Sequence, residues 1–240
     1  MASESGRNAA LYVNQYDLQG KLNSIGISMT CDTGEKTAYG DAWKKFLYTL
    51  KSWTINQVDF FEGSDTAGEL DKVMESIFGA SAKVIVLPGG RARGDYGYAA
   101  NEPLIGQSDV DAPLDGLTLL TSSYNGVGKL ERCIVLEQAT VTETGLSVYV
   151  DWGVTMTDGG AAYLSVTAVS GLSPTCDITV KHCATAEGVY EDLTPAFTQV
   201  IEATSERIVF TGTINRYLKI SYTVGGTDPS FTFICVFHGN

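Results

Sequence analysis

Histidine is almost absent from this chain. Its 240 residues contain two, His182 and His238. A nucleophilic triad needs an imidazole within reach of a serine or cysteine. His182 ends a strand-like run beside Cys183, and His238 is third from the C-terminus, so both read as structural. No acid, base and nucleophile set can be assembled from the remaining residue types, so no catalytic residue is expected and the chain is not read as an enzyme. Cysteine is sparse as well: five residues, an odd number without tight spacing, make no disulfide framework. Cys176, His182 and Cys183 lack the paired short spacings of a zinc site. Cys31, Cys133 and Cys235 lie in or beside strand-like runs and are expected as small buried apolar side chains. Asp151, Asp158 and Asp177 follow no calcium-loop pattern, so neither a metal nor a cofactor is expected.

Positive charge is the next shortage. Lys and Arg total 16 against 28 Asp and Glu, for a net charge of −12. Direct phosphate binding needs clustered cations, so a nucleic-acid-binding role is disfavoured, while a surface that keeps DNA off is compatible. No apolar run approaches the roughly 18 residues of a membrane helix. The polar stretch Ala2 to Asn8 does not read as a signal peptide, and a reducing site of folding is expected.

What the chain does have is a strand–helix–strand unit from Lys51 to Leu87. Thr66-Ala67-Gly68-Glu69 fits a capping box. Leu70, Val73, Met74, Ile77 and Phe78 then fall on one helical stripe, and Gly79 stands where a left-handed cap belongs. Strand-like runs flank the helix at Ser52–Phe61 and Ala82–Leu87. The stripe needs a sheet or a neighbouring subunit to cover it.

Around this unit, residues 1–8 read as a flexible arm. Leu22 to Thr30 alternates, with Ile25, Ile27 and Met29 on the apolar side. From Cys31 to Leu50 the alternation fails, and a long loop is expected there. Tyr39, Trp43, Phe46, Leu47 and Tyr48 crowd it, and a loop this rich in large aromatics is more often a binding surface than a connector. Pro88 to Tyr98 reads as a flexible loop, with Arg93-Gly94-Asp95 as its tip. Further strands are expected at Leu104–Val110, Leu114–Ser123 and Glu131–Val141, with an Asn125-Gly126 turn between the last two.

A domain boundary is expected at Thr142–Gly145. From Thr142 onward only Lys181, Arg207, Arg216 and Lys219 are basic, against ten Asp and Glu. Seven short strand-like runs follow: Ser147–Trp152, Ala162–Val169, Cys176–His182, Phe197–Ile201, Arg207–Thr211, Tyr217–Val224 and Ser230–Phe237. That density of short strands points to a β-sandwich, Ig-like or jelly-roll-like. The expected division is an arm (1–8), a first β domain with one helix (9–142) and a second β-sandwich (146–240).

The order of elements in the first half resembles the tail tube (major tail) proteins of tailed bacteriophages. The resemblance covers about residues 8 to 141. It is carried by Leu11-Tyr12-Val13-Asn14-Gln15-Tyr16-Asp17-Leu18, by Ala38-Tyr39-Gly40-Asp41-Ala42-Trp43-Lys44, by Asp59-Phe60-Phe61-Glu62-Gly63, and by the run from Gly106 to Leu130. It implies a β-sandwich or half-barrel flanked by one helix, six copies of which form a ring whose inner strands join into a continuous barrel. It makes the Cys31–Leu50 segment the element that stacks one ring on the next, with Tyr39, Asp41, Trp43, Phe46 and Tyr48 at the contact. Leu70, Val73 and Ile77 would then pack at or near a subunit boundary. The implied partners are further copies of the chain and other tail proteins such as the tape measure and tail terminator. DNA passes without specific binding, no membrane is involved, and the protein folds in the host cytoplasm before joining the virion. The second half resembles β-sandwich modules appended to phage structural proteins, through Ala162-Tyr163-Leu164-Ser165-Val166-Thr167 and Val224-Gly225-Gly226-Thr227-Asp228-Pro229-Ser230-Phe231. A module projecting from the tube leaves no room for a sheath, which implies a non-contractile tail. The alternatives are a capsid decoration or other virion protein, and a carbohydrate-binding module with Trp152, Tyr163 and Tyr190 as its platform.

Overall fold

The computed structural model describes residues 8–39, 42–61 and 70–240, and of Tyr48, Leu70 and Asp71 the backbone alone. In chain order the first strands are β1 (Ala10–Val13), β2 (Tyr16–Asp17), β3 (Leu22–Glu35) and β4 (Phe46–Phe60). The helix α1 (Leu70–Ile77) precedes β5 (Ser81–Leu87), β6 (Tyr96–Asp111), β7 (Leu119–Asn125) and β8 (Glu131–Val141). Then come β9 (Gly145–Leu146), β10 (Val150–Asp151), β11 (Gly160–Cys183), β12 (Glu191–Asp192), β13 (Thr204–Phe210) and β14 (Tyr217–Gly239). The chain is mainly β, with a single α-helix among the described residues, in agreement with the expected class.

Contacts group the chain into two compact units, each gathered from separate stretches. The first takes the chain up to Lys21, then Ala82–Glu102 and Leu130–Asn240; the second takes Leu22–Ser81 and Pro103–Lys129. The expected boundary at Thr142–Gly145 is not one of these borders.

In the first unit β11, β14 and β8 lie side by side, all antiparallel. Their alternating side chains are buried on both faces. Ile134, Leu136, Ala162, Leu164, Phe233, Cys235 and Phe237 enter one core, and Cys133, Val135, Ala161, Tyr163, Ile234 and Val236 enter another. Strands buried on two faces read as continuous apolar runs, which is why Cys133–Leu136 and Phe231–Phe237 stand out in the sequence. Cys133 and Cys235 are buried as expected, whereas Cys31 is exposed.

Two corrections concern strand length. The runs expected as separate strands at 162–169 and 176–182 are one strand, β11, and those at 217–224 and 230–237 are one strand, β14. They pair along nearly their whole length, with register shifts at Val166/Ala168, Ser170/Leu172 and Leu172/Thr175. Gly171 (φ 117°) and Gly226 (φ 109°) sit in this irregular zone, where a side chain would also strike the partner backbone. The glycines and prolines that look like turns are bulges in continuous strands. Residues 197–201 make only a bridge, Val200 to Cys176, and 147–152 contributes only the short β10.

The loop expected at 88–98 is tied down. Gly94 N–H donates to the Val135 carbonyl (2.9 Å), Val135 N–H donates to the Asp95 carbonyl (2.8 Å), and Asp95 Oδ2 accepts from Ala92 N–H (2.8 Å). Arg93 pairs with Glu137, so the Arg-Gly-Asp tripeptide is internally engaged.

The second unit is a sheet in the order β3-β4-β7-β6, antiparallel throughout, to which β6 contributes Leu104–Asp111. Here the third correction falls. The Cys31–Leu50 segment is largely a hairpin extension: β3 continues to Glu35, β4 starts at Phe46, and Thr33, Gly34 and Glu35 face Tyr48, Leu47 and Phe46. β7 begins at Leu119, five residues later than expected, and Leu114 is exposed. The α1 stripe is real, with Val73, Met74 and Ile77 buried, but Phe78 is exposed. Gly79 takes φ 73°, as a left-handed cap requires. The capping box Thr66–Glu69 lies outside the described residues. Gly126 accepts the Trp53 ring where a Cβ would collide with it, and Trp53 Nε1–H donates to the Gly128 carbonyl (2.9 Å).

One buried ionic cluster of the first unit gives a stability test. The Tyr163 hydroxyl donates to Glu131 Oε2 (2.7 Å), and Arg207 donates from Nε to that hydroxyl oxygen (2.9 Å) and from Nη2 to Glu131 Oε1 (2.6 Å). Burial, together with the Glu131 carboxylate, pushes the Tyr163 phenol well above its ordinary pKa. Removing Glu131 leaves Arg207 unpaired in a partly buried site and the buried Tyr163 hydroxyl without its acceptor. Glu131→Ala is expected to lower the unfolding free energy by about 2–4 kcal/mol in urea denaturation, and pairing Glu131→Leu with Arg207→Met is expected to recover most of that loss.

Candidate functional site

In the second unit, cross-strand partners define two faces, because residues opposite one another in antiparallel strands point the same way. One face carries the rows Ile27–Ile55–Tyr124–Ile105, Ile25–Gln57–Ser122–Ser108 and Asp59–Leu120–Val110. Met74 of α1 lies over this face, its Sδ 3.5 Å from the Tyr124 hydroxyl. The opposite face carries Ser28–Thr54–Asn125–Leu104, Gly26–Asn56–Ser123–Gln107, Ser24–Val58–Thr121–Asp109 and Phe60–Leu119–Asp111. Hydroxyls and amides dominate these four rows; their only charges are Asp109 and Asp111, and none of them holds a Lys or Arg.

The borders of this sheet are open. Within the unit, β3 pairs with β4 alone and Leu104–Asp111 pairs with β7 alone among the described residues. From Leu22 to Cys31 the border strand contains no charged residue and no proline, the usual guards of an exposed edge.

The hairpin beyond the sheet presents the aromatics that sequence reasoning singled out. Trp43 is 84% exposed, Tyr39 is fully exposed and Phe46, at the start of β4, is exposed. Tyr48 pairs with Thr33 in the ladder, and nothing is described of its side chain. Asp41 lies outside the described residues. Local bonds hold the tip: Lys36 N–H donates to the Lys45 carbonyl (2.7 Å), Lys45 N–H donates to Thr37 Oγ1 (3.1 Å), and the Thr37 hydroxyl donates to Glu35 (2.8 Å). On the helix, Val73 and Ile77 are buried within the unit, and of Leu70 only the backbone is described.

Sequence reasoning missed Asp59. It is buried in the strand that also buries Trp53, Ile55 and Gln57, so an acid in that alternation was the available signal. Gln57 Nε2 donates to Asp59 Oδ2 (2.6 Å), and the Tyr124 hydroxyl donates to Gln57 Oε1 (2.8 Å). Asp59 Oδ1 has no hydrogen-bond partner among the described residues. Burial pushes the carboxyl up to about 7, against the smaller opposing effect of the Gln57 bond.

The other candidates disperse. His182 Nδ1 accepts from Asn215 N–H (3.0 Å) and its pKa is lowered by burial, while His238 Nδ1 bonds the Arg132 carbonyl (2.8 Å). Asp151 is held by Arg216 (2.6 and 2.7 Å) and Asp177 by Gln199 (3.1 Å). No group of three metal-binding side chains occurs among the described residues. Tyr163 is 1% exposed, so it cannot join Trp152 and Tyr190 in a sugar platform.

No protein-family model matches the sequence, and no curated protein matches it. Several solved structures are similar to it, all at TM-scores below 0.5. A chain in the virion of the native gene transfer agent particle is 18% identical at a TM-score of 0.43, over 54% of this chain and 98% of that one. A chain in the tail of the empty gene transfer agent particle, of C6 symmetry, is 16% identical at 0.41, over 53% and 97%. The SPP1 Dit protein, of the hub adsorption apparatus of phages infecting Gram-positive hosts, is 8% identical at 0.36, over 96% and 98%.

The Asp59 site sets a pH dependence. In the unfolded chain the carboxyl ionises from near its ordinary value, while in the folded unit it keeps its proton until about 7. The folded state therefore binds more protons in that window, and stability falls as pH rises from about 4 to about 7. The expected loss is on the order of 2–4 kcal/mol. Urea denaturation at pH 5 and pH 8 measures it, and Asp59→Asn is expected to flatten the difference by raising stability at pH 8.

Proposed function

We propose that this chain is a structural subunit of a phage tail that closes into rings and stacks into a non-contractile tube through which DNA passes. The observation that carries this reading is the open-bordered sheet of the second unit. Its four strands alternate in direction, so β3 and β6 at the two borders run opposite ways. A rotation axis roughly along the strands sets β6 of one copy beside β3 of the next, antiparallel, without reversing either. Such a heterologous contact closes into a ring, and closure removes every unpaired edge. Six copies is the number that the resemblance to tail tube proteins implies.

The helix covers one face of the sheet, so the face of hydroxyls, amides and two aspartates turns to the lumen. Phosphates passing it find no cation to hold them, and with no counterions to release there is no drive to bind. The exposed Tyr39, Trp43 and Phe46, together with Asp41 and Tyr48 of the same segment, are assigned to stacking one ring on the next. A tape measure in the lumen and a terminator at the end of the tube are the further partners of this reading.

The decoration-protein alternative predicts a monomer or trimer and no tubes. Negative-stain electron microscopy of the concentrated protein at neutral pH separates the two: hollow tubes or stacked rings are expected, and only small monodisperse particles would count against the tube. Trp43→Ala removes a side chain that is already in solvent, so stability is expected to change by less than about 0.5 kcal/mol. The same substitution is expected to leave rings or monomers that no longer stack, and normal tubes would sink the stacking assignment.

A further inference from the structure

At the β6 border, on the helix-covered side of the sheet, lies an apolar groove. Phe61, Met74, Phe78, Ser108, Val110 and Leu120 line it, with Glu75, paired to Lys72, at its rim as the one charged side chain. Phe78 (57% exposed) and Val110 (54%) are both open to solvent. Among the described residues nothing fills the groove.

At the opposite border, on the same side of the sheet, β3 carries Ile25, Ile27 and Met29. Their row partners Gln57, Ile55 and Trp53 are buried, yet Ile25 and Ile27 are only half-buried and Met29 is 59% exposed. Among the described residues these three side chains have a neighbouring strand on one flank and none on the other. β3 is therefore an apolar ridge, and the β6 border is an apolar groove on the same face.

We infer that the groove between α1 and β6 receives Ile25, Ile27 and Met29 from β3 of the neighbouring copy. The inference rests on the ring reading, because rotation carries the helix-covered face of one copy into the helix-covered face of the next. The ridge then meets the groove with its direction and its facing already correct. The occupant is a second copy of this chain, since its β3 runs antiparallel to β6 and presents uncharged side chains at alternate positions. The intervening Ser24, Gly26 and Ser28 point to the opposite face, where they continue its hydroxyl rows. Docking places aliphatic side chains against Phe78 and Val110, and it fixes the register in which the two edges pair, because a one-residue slip would put serines into the groove.

Cysteine pairing tests this. Cys31→Ser removes the one exposed thiol, and the other four cysteines are buried. In that background Val110→Cys is combined in turn with Ile25→Cys, Ile27→Cys and Met29→Cys, and, as controls, with Ser24→Cys, Gly26→Cys and Ser28→Cys. Within one chain the two borders are three strand spacings apart, about 14 Å, beyond the reach of a disulfide, so every link formed is between copies. Mild oxidation is expected to give a ladder of covalent oligomers with one or more of the odd-numbered positions and none with the even-numbered ones. Electron microscopy of the same samples reports whether rings form. Rings without links, or with even positions linking as readily as odd, would overturn the groove assignment and leave the ring standing. Monomers throughout would overturn both.

Discussion

The backbone of an edge strand is the constraint on which this molecule turns. Every N–H and C=O must find a partner, in the chain, in water or in another chain. In the first unit the long strands β11, β14 and β8 lie between neighbours and are covered on both faces, and the border strands β2, β12 and β13 are no longer than seven residues. The second unit differs. Its border strand β3 is fourteen residues long, apolar on one face and uncharged from Leu22 to Cys31. Natural edges of that kind are shortened, charged, bulged away or covered. Leaving one open is costly in a lone subunit and useful in a subunit whose edges complete each other.

What could be read from the sequence follows from which faces are buried. The stripe of Val73, Met74 and Ile77 and the run Glu131–Val141 were legible because burial imposes period on composition, and the alternation of Ile25, Ile27 and Met29 was legible although the single chain leaves these side chains half-buried or exposed. The Cys31–Leu50 hairpin was not legible, since near its tip the side chains are exposed whichever way they point and no apolar–polar contrast is written. β11 and β14 failed for a different reason. Gly171, Pro174, Gly226 and Pro229 carry the residue types of turns, but pairing between two distant strands holds them as bulges. The division into units was beyond any local reading, because it depends on contacts such as the Ser165 hydroxyl donating to the Asn14 carbonyl (2.7 Å), 151 residues apart.

Asp59 shows how a candidate site can hide in a core pattern. A carboxyl at an apolar position of β4 keeps its proton because its surroundings are Gln57, Tyr124 and Met74, with no cation beside it. The Tyr124 hydroxyl is itself held up by burial and by the nearby carboxyl. Burial outweighs the Gln57 bond, which by itself favours the ionised carboxylate, and Asp59 lies in β4 on the face that α1 covers. A deprotonated Asp59 would put an uncompensated charge under α1, so the docking of the helix and the charge state of this group are linked.

The exposed aromatics and the net charge act against each other. Trp43, Tyr39 and Phe46 offer large apolar surfaces on a short hairpin whose bonds are local. Aromatic side chains bury more area than most others when they are covered, which makes them strong anchors in a contact and a liability outside one. A charge of −12 repels copies over the range of a Debye length, about 8–10 Å, and keeps chance encounters apart. Long-range repulsion of that kind is overcome only where many short-range contacts form together, as when a strand edge and an apolar ridge engage in register. On the proposed ring reading, the same charge that tells against holding DNA would also select the ordered contact between copies over the disordered one.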